Sequence, residues 1–195
     1  MRVRVVAGEL RGRPLRAPAG ARTRPTGELV RGALFAALEA RWLEWGGAGS
    51  RGVRVLDLYA GSGALGIEAL SRGAGRACFV EIDRGALAAL AANLRSLGLD
   101  RRARVVERPV GDFLRHPDGE GPYGLILADP PYALGAANLL PALDSAAWLA
   151  PGGVCAIEHT AREELPEWSG TLQRVWKRVH GGTALSVYTA IPDRG

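Results

Sequence analysis

The sequence predicts an α/β protein: a doubly wound, mostly parallel sheet closed by an antiparallel C-terminal hairpin, with a small β-hairpin appended at the N-terminus. Three observations predict it. Short apolar or β-branched runs at residues 53–58, 77–80, 104–106, 123–128 and 154–158 alternate with segments of helical spacing, the pattern of βαβ units. Leu125-Ile126-Leu127 is apolar without interruption, as expected when both faces of a sheet are covered. Gly61-Ser62-Gly63-Ala64-Leu65-Gly66 follows the first of these runs and opens a helix, the βα turn of a nucleotide-type site.

Taken in order, Arg2-Val3-Arg4-Val5-Val6 alternates with a basic face, residues 8–12 offer a turn, and residues 13–17 return as a second strand before Pro18. Residues 1–22 therefore read as a basic β-hairpin extension and residues 23–195 as the main domain. Thr26 is a candidate N-cap, with Glu28 in the first turn and Val30, Ala33, Leu34, Ala37 and Leu38 forming a core stripe. Residues 46–52 form a linker. The helix after the glycine loop should stop at Gly73, and the next, residues 85–97, at Gly98. Asp112-Phe113 opens a loop or short helix. Residues 136–149 are predicted helical, 151–153 a turn and 154–158 the fifth parallel strand. Residues 172–179 and 184–190 alternate around Gly181-Gly182, the closing hairpin.

A chain of 195 residues accommodates one substantial domain. Its net charge of +5 is unevenly spread: residues 1–31 carry eight arginines against Glu9 and Glu28, a balance of +6, and the remainder is at −1. That is the footprint of a phosphate-binding arm, with a merely solvated charged face as the alternative. Lys177 is the one lysine beside 24 arginines, a compositional habit before it is phosphate chemistry. No apolar run approaches the roughly 18 residues of a membrane helix, so a soluble, cytoplasmic protein is expected. Cys78 and Cys155 fall in predicted buried strands and read as reduced core residues. His116, His159 and His180 lack ligand spacing, and no metal site is expected.

The ligand is suggested by two acids. Asp57 lies near the end of the strand, four positions before Gly61, where a pyrophosphate-binding turn has apolar residues; a carboxylate there suits an ammonium. Glu81 lies twenty positions past Gly61, where an acid accepts ribose hydroxyls. The pair fits S-adenosylmethionine better than NAD. A second motif, Asp129-Pro130-Pro131-Tyr132, stands at the carboxyl end of a central strand. Two prolines make a rigid turn without backbone donors, leaving carbonyl oxygens and the Asp129 carboxylate as acceptors beside an aromatic ring. Such a cup fits a planar base with an exocyclic amino group.

In these residues the sequence resembles the class I S-adenosylmethionine-dependent, amino-methylating methyltransferases, and within them the RsmD family, which methylates a guanine amino group in small-subunit (16S) ribosomal RNA. The likeness runs from the hairpin (residues 5–15) through Arg24-Pro25-Thr26, residues 60–73 and the proline motif to Thr183-Ala184-Leu185-Ser186-x-Tyr188. Tyr132 departs from the phenylalanine common there. The resemblance implies a Rossmann-like, seven-stranded sheet with an antiparallel last strand. It further implies Asp57, Gly61, Ser62 and Gly63 at the methionine part of the cofactor, Tyr59 and Ala60 among the cofactor-binding residues, Glu81 at the ribose, Ile82 on adenine, and Asp112 with the Phe113 backbone at its polar edge. Asp112 reads equally as a helix cap. Arg24 and Thr26 are expected at the methionine carboxylate or in the pocket wall. Asp129, Pro130 and Tyr132 would be catalytic, with Arg4, Arg11, Arg13 and Pro131 on the RNA. The implied partner is small-subunit rRNA within a 30S particle or assembly intermediate, met by a monomer. An adenine amino-methyltransferase and a non-catalytic RNA-binding assembly factor are the competing readings. Glu158 is assigned either to substrate or to a loop cap.

Overall fold

Strands with apolar residues on both faces need a covering layer on each side, and the chain supplies both. The computed structural model describes residues 3–18, 26–42, 52–116, 121–145 and 148–191. The hairpin is β1 (Val3–Arg4) and β2 (Pro14–Leu15), followed by α1 (Thr26–Trp42). The alternating body comprises β3 (Arg54–Leu58), α2 (Ala64–Ser71), β4 (Arg76–Glu81), α3 (Arg84–Leu97), β5 (Ala103–Glu107), α4 (Val110–Arg115), β6 (Tyr123–Ala128), α5 (Leu139–Ser145) and β7 (Leu149–Thr160). It ends in β8 (Trp168–Ser169), β9 (Leu172–His180) and β10 (Thr183–Ala190).

These strands form one sheet in the order β5-β4-β3-β6-β7-β10-β9-β8. β5, β4, β3, β6 and β7 are parallel, and β10 runs antiparallel to β7 and β9. This is the expected seven-stranded arrangement, extended by the two-residue edge strand β8. Alternate residues of each central strand enter opposite cores: Val55, Leu125, Leu127 and Val154 pack with α1, α2 and α3, while Leu56, Leu58, Ile126 and Ile157 pack with Phe113, Leu140 and Trp148. All eight of those strand residues have no accessible surface, and each contributes about 1.5–3 kcal/mol of apolar burial.

Local chemistry sets the ends. Asp83 caps α3 by accepting from Ala86 N–H at 2.8 Å, and Gly98 ends it with φ +69°. The predicted helix over residues 136–149 is shorter than expected. Pro141 has no N–H to give and is tolerated only in a first turn, so α5 starts at Leu139. Leu149 already pairs with Tyr123, and residues 151–153 bulge within a strand that resumes at Val154 opposite Leu125. Thr26 is the first helical residue of α1; the linker expected at residues 46–51 lies outside the described residues.

The hairpin is wired into the body. Buried Glu68 accepts Val6 and Ala7 N–H at 2.7 and 2.9 Å, and Ser71 Oγ donates to Ala7 O at 2.6 Å. The Ser71 carbonyl takes Glu9 N–H at 2.8 Å. A Cβ on Gly8 would lie 2.0 Å from that carbonyl oxygen, and Gly8 has φ +84°, so only glycine fits this approach. Val5 and Leu15 are buried.

Candidate active site

In an open α/β sheet, ligands bind where successive connections leave a strand in opposite directions. Here β3 is flanked by β4 on one side and β6 on the other, which places that crevice at the carboxyl ends of β3 and β6. Leu58 pairs with both Val80 and Ala128. The next residues along the three strands are therefore Glu81, Tyr59 and Asp129, side by side at roughly 4.8 Å spacing. Tyr59 and Asp129, 70 positions apart in sequence, become neighbours.

Tyr59 turns the chain out of β3 with φ +57°, and Gly61 and Gly63 follow at +56° and +81°. A tyrosine in the left-handed region costs about 1–2 kcal/mol, a strain held at the mouth of the loop. Asp57 is buried, and its Oδ2 accepts Gly66 N–H at 2.8 Å. A Cβ on Gly66 would lie 2.4 Å from the Phe79 ring and 2.9 Å from that oxygen, so glycine is required for α2 to pack this closely. Burial pushes the Asp57 carboxyl well above the usual carboxylate range, against the Gly66 hydrogen bond, and the Asp129 and Glu81 charges add to the rise. Glu81 accepts Gly61 N–H through Oε2 at 2.8 Å and Ile82 and Asp83 N–H through Oε1 at 2.7 and 2.8 Å. It thereby fastens the glycine loop to the end of β4.

At the end of β6, Asp129 and Pro131 are exposed and Pro130 is buried. Tyr132 is 37 % exposed, and its hydroxyl lies 3.1 Å from Thr183 Oγ1. Leu134 N–H returns to Pro131 O at 2.9 Å, tightening the turn. Glu163, from the loop after β7, accepts Ala136 and Ala137 N–H at 2.6 and 3.1 Å and pins the far end of the same loop.

Most of the anticipated residues come together: Asp57, Tyr59, Ala60, the loop at residues 61–63, Glu81 and Asp129 lie at the carboxyl ends of β3, β4 and β6. Ile82 beside it is exposed. Asp112 lies inside α4, whose N-cap is Pro109 without a side-chain bond; its carboxylate pairs with Arg115 instead of capping. Phe113 is buried against Trp148 at 5.0 Å between centroids, and its N–H donates to Pro109 O at 3.0 Å. Arg24 and the Thr26 side chain lie outside the described residues. Of the hairpin arginines, Arg11 is exposed at the turn, Arg4 gives its N–H to Glu28, and Arg13 donates to Ser96 O at 3.1 Å. Glu158 is half-buried in β7. His159 is internal, with Nδ1 3.0 Å from Thr160 O and Nε2 2.9 Å from Ser186 Oγ; burial lowers its pKa. Both cysteines are free and buried, and burial pushes the Cys155 thiol up to about 12.

Sequence reasoning missed Asn93, Glu163 and the role of Glu68. Asn93 is fully buried in α3; it joins Arg16 N–H and O at 2.8 and 3.0 Å to Ser62 O at 2.9 Å. The hairpin and the glycine loop therefore hang on one amide. The available signal was a polar residue at apolar-stripe spacing, beside Ala86, Ala89, Leu90 and Leu94, which a buried position obliges to find partners.

The glycine loop on β3, the acids at the ends of β3 and β4, and the strand order define a class I S-adenosylmethionine-dependent methyltransferase. The donor set fits that cofactor: a buried carboxylate beneath the loop, an acid bonded to the Gly61 N–H, and Gly61 itself, where a Cβ would meet nothing closer than the Tyr59 carbonyl oxygen at 4.0 Å. Residues 3–189 match the family model described as Conserved hypothetical protein 95, and the chain belongs to that family, the RsmD family. It is 32 % identical over 187 residues to Ribosomal RNA small subunit methyltransferase D of Escherichia coli (strain K12), covering 95 % of this chain and 89 % of the other. It is 34 % identical over 158 residues to the protein of that name from Haemophilus influenzae, covering 80 % and 78 %. The solved structure of a hypothetical protein from Thermus thermophilus, TTHA0928, superposes with a TM-score of 0.78 at 35 % identity, covering 97 % of this chain and 99 % of that one.

Proposed function

We propose that this enzyme methylates the exocyclic amino group of a guanine in small-subunit ribosomal RNA, acting as a cytoplasmic monomer on a 30S particle or assembly intermediate. The observation that carries the reading is the placement of Asp129-Pro130-Pro131-Tyr132 beside the glycine loop, in a family whose relatives bear the rRNA methyltransferase name.

Asp57 and the loop at residues 61–63 hold the methionine part, and Glu81 takes the ribose, exchanging its Gly61 N–H contact or using the remaining lone pair of Oε2. Exposed Ile82 packs on adenine, and Asp112 reaches its edge. Bound there, S-adenosylmethionine supplies a methyl group already activated on a sulfonium.

The guanine amino nitrogen is a poor nucleophile because its lone pair is shared with the ring. Asp129 and the Pro130 carbonyl accept its two N–H bonds, favour a pyramidal nitrogen and offset the positive charge that develops on it. Preorganised acceptors of this kind are worth about 3–4 kcal/mol each. As the N–C bond forms, the amino proton passes to Asp129 or through it to water. Tyr132 stacks on the base, which must leave its own stack to enter, so a loop nucleotide is reached more easily than a paired one. Arg4, Arg11, Arg13 and Pro131 hold the surrounding RNA.

The test is transfer from labelled S-adenosylmethionine to 30S subunits lacking the modification, with naked 16S rRNA and duplex DNA in parallel, followed by nucleoside analysis. N2-methylguanosine in the subunit is expected. Methyladenine in DNA, or no transfer despite cofactor binding, refutes the substrate.

A further inference from the structure

A second basic feature lies at the opposite end of the sheet from the crevice. A cleft of about 440 Å³ opens at the amino ends of β3, β4, β5 and β6, and its described lining includes Arg54, Arg76, Arg101, Arg102 and Arg104 with Tyr123, and no acid. Arg54 and Arg76 are register partners, and Arg104 stands beside Cys78, two residues beyond Arg76. The pleat therefore puts Arg54, Arg76 and Arg104 on one face of three adjacent strands. Arg102 is fixed: it donates to Leu70, Ala74 and Gly75 carbonyls and to Glu9. Arg76 and Arg101 are exposed.

Guanidinium groups gathered around one space repel one another, and the arrangement is favourable when an anion bridges them. Their planar forks match phosphate oxygens in pairs. The lining is unsuited to a whole nucleotide. It offers no carboxylate for a ribose among its described residues, and the Tyr123 ring has Arg54 over it at 5.3 Å and Trp148 stacked at 6.2 Å, leaving no aromatic platform for a base.

We infer that this cleft binds the phosphodiester backbone of the RNA substrate at a point remote from the target base. Strands of this length separate it from the crevice by about 17–20 Å, so it engages a different part of the folded RNA. This rests on the RNA substrate proposed above. The cleft gives a second anchor, joined to the N-terminal hairpin through the Arg102–Glu9 pair, that favours a large structured RNA over a short oligonucleotide.

The experiment compares the full chain with R76A/R101A and with the exposed control R178A, on β9 at the other side of the sheet. It measures affinity for unmodified 30S subunits across a salt series, affinity for S-adenosylmethionine, and binding of ATP. Expected are an approximately tenfold or greater loss of subunit affinity in the double variant and a salt slope shallower by about 1.4–1.8, the loss of two phosphate contacts. Cofactor affinity and R178A should stay at the parent level. An unchanged slope in R76A/R101A while the parent binds and methylates subunits overturns the cleft proposal alone. Micromolar ATP binding that the double variant abolishes overturns it in favour of a nucleotide site. A parent chain that neither binds nor methylates subunits refutes the substrate reading, and the cleft proposal with it.

Discussion

At the residue scale the site is a set of acids whose environments assign their work. Asp57 keeps its proton to higher pH in the fold than an unfolded aspartate does, because it is buried beside two further acids. With more protons bound in the folded state, stability falls as pH rises from about 3.9, the free aspartate value, through the folded pKa. D57N should remove that loss. Its melting temperature relative to the parent should climb with pH in the absence of cofactor, by a few degrees, while its affinity for S-adenosylmethionine falls. A difference that stays flat with pH would contradict the protonated state. In the proposed function Tyr132 has two roles, a bond to Thr183 and stacking on the base, that substitution separates. Y132F loses the Thr183 bond, about 0.5–1.5 kcal/mol, and should cost a few-fold in kcat/KM. Y132A also loses the stacking platform, about 1–3 kcal/mol, and should cost roughly tenfold more. Equal effects would place the ring outside the substrate pocket. The strand-end positions of Asp57, Gly61, Glu81 and the proline motif were legible because their pattern is local: an acid, a glycine or a proline pair closing an apolar run. Glu163 and Thr183 were not, since each meets the proline loop only through tertiary contact.

At the element scale the N-terminal hairpin is part of the catalytic body. Glu68 on α2 and Asn93 on α3 take its backbone hydrogen bonds, in place of the ladder that two-residue strands cannot supply. Alternation of Arg and Val was enough to predict strands; it carried no information about what they dock against. N93A removes three part-buried hydrogen bonds, to the Arg16 N–H and carbonyl and to the Ser62 carbonyl, at about 0.5–1.5 kcal/mol each. A lower melting temperature and weaker S-adenosylmethionine binding, read by calorimetry, are expected together, because one amide serves both the hairpin and the glycine loop. Lower stability with unaltered cofactor affinity would show that the two are independent. The α5 boundary was misjudged for a simpler reason: helical spacing ignores Pro141 and the strand pairing of Leu149.

At the scale of the whole molecule, the sheet order turns distant sequence motifs into one crevice. Strand alternation made the parallel core legible, and the apolar runs made clear that both faces are covered. Strand order itself is not written in periodicity; it follows from the resemblance of the glycine and proline motifs to a known arrangement. The eighth strand, two residues long, is too short to leave a pattern. Two basic regions, the hairpin and the cleft at the amino ends of the strands, lie on a body whose glycine loop and proline motif stand at the carboxyl ends. No helix among the described residues is long and apolar enough to cross a membrane. The central claim is that Asp129 acts on the substrate amino group and not on the cofactor. Single-turnover methyl transfer to unmodified 30S subunits by D129N and D129A, beside their equilibrium affinity for S-adenosylmethionine, tests it most directly. The account predicts a rate at least about a hundredfold lower, about 2.7 kcal/mol or more, with cofactor affinity within a few-fold of the parent. Parallel loss of both would contradict it and move Asp129 into the cofactor site.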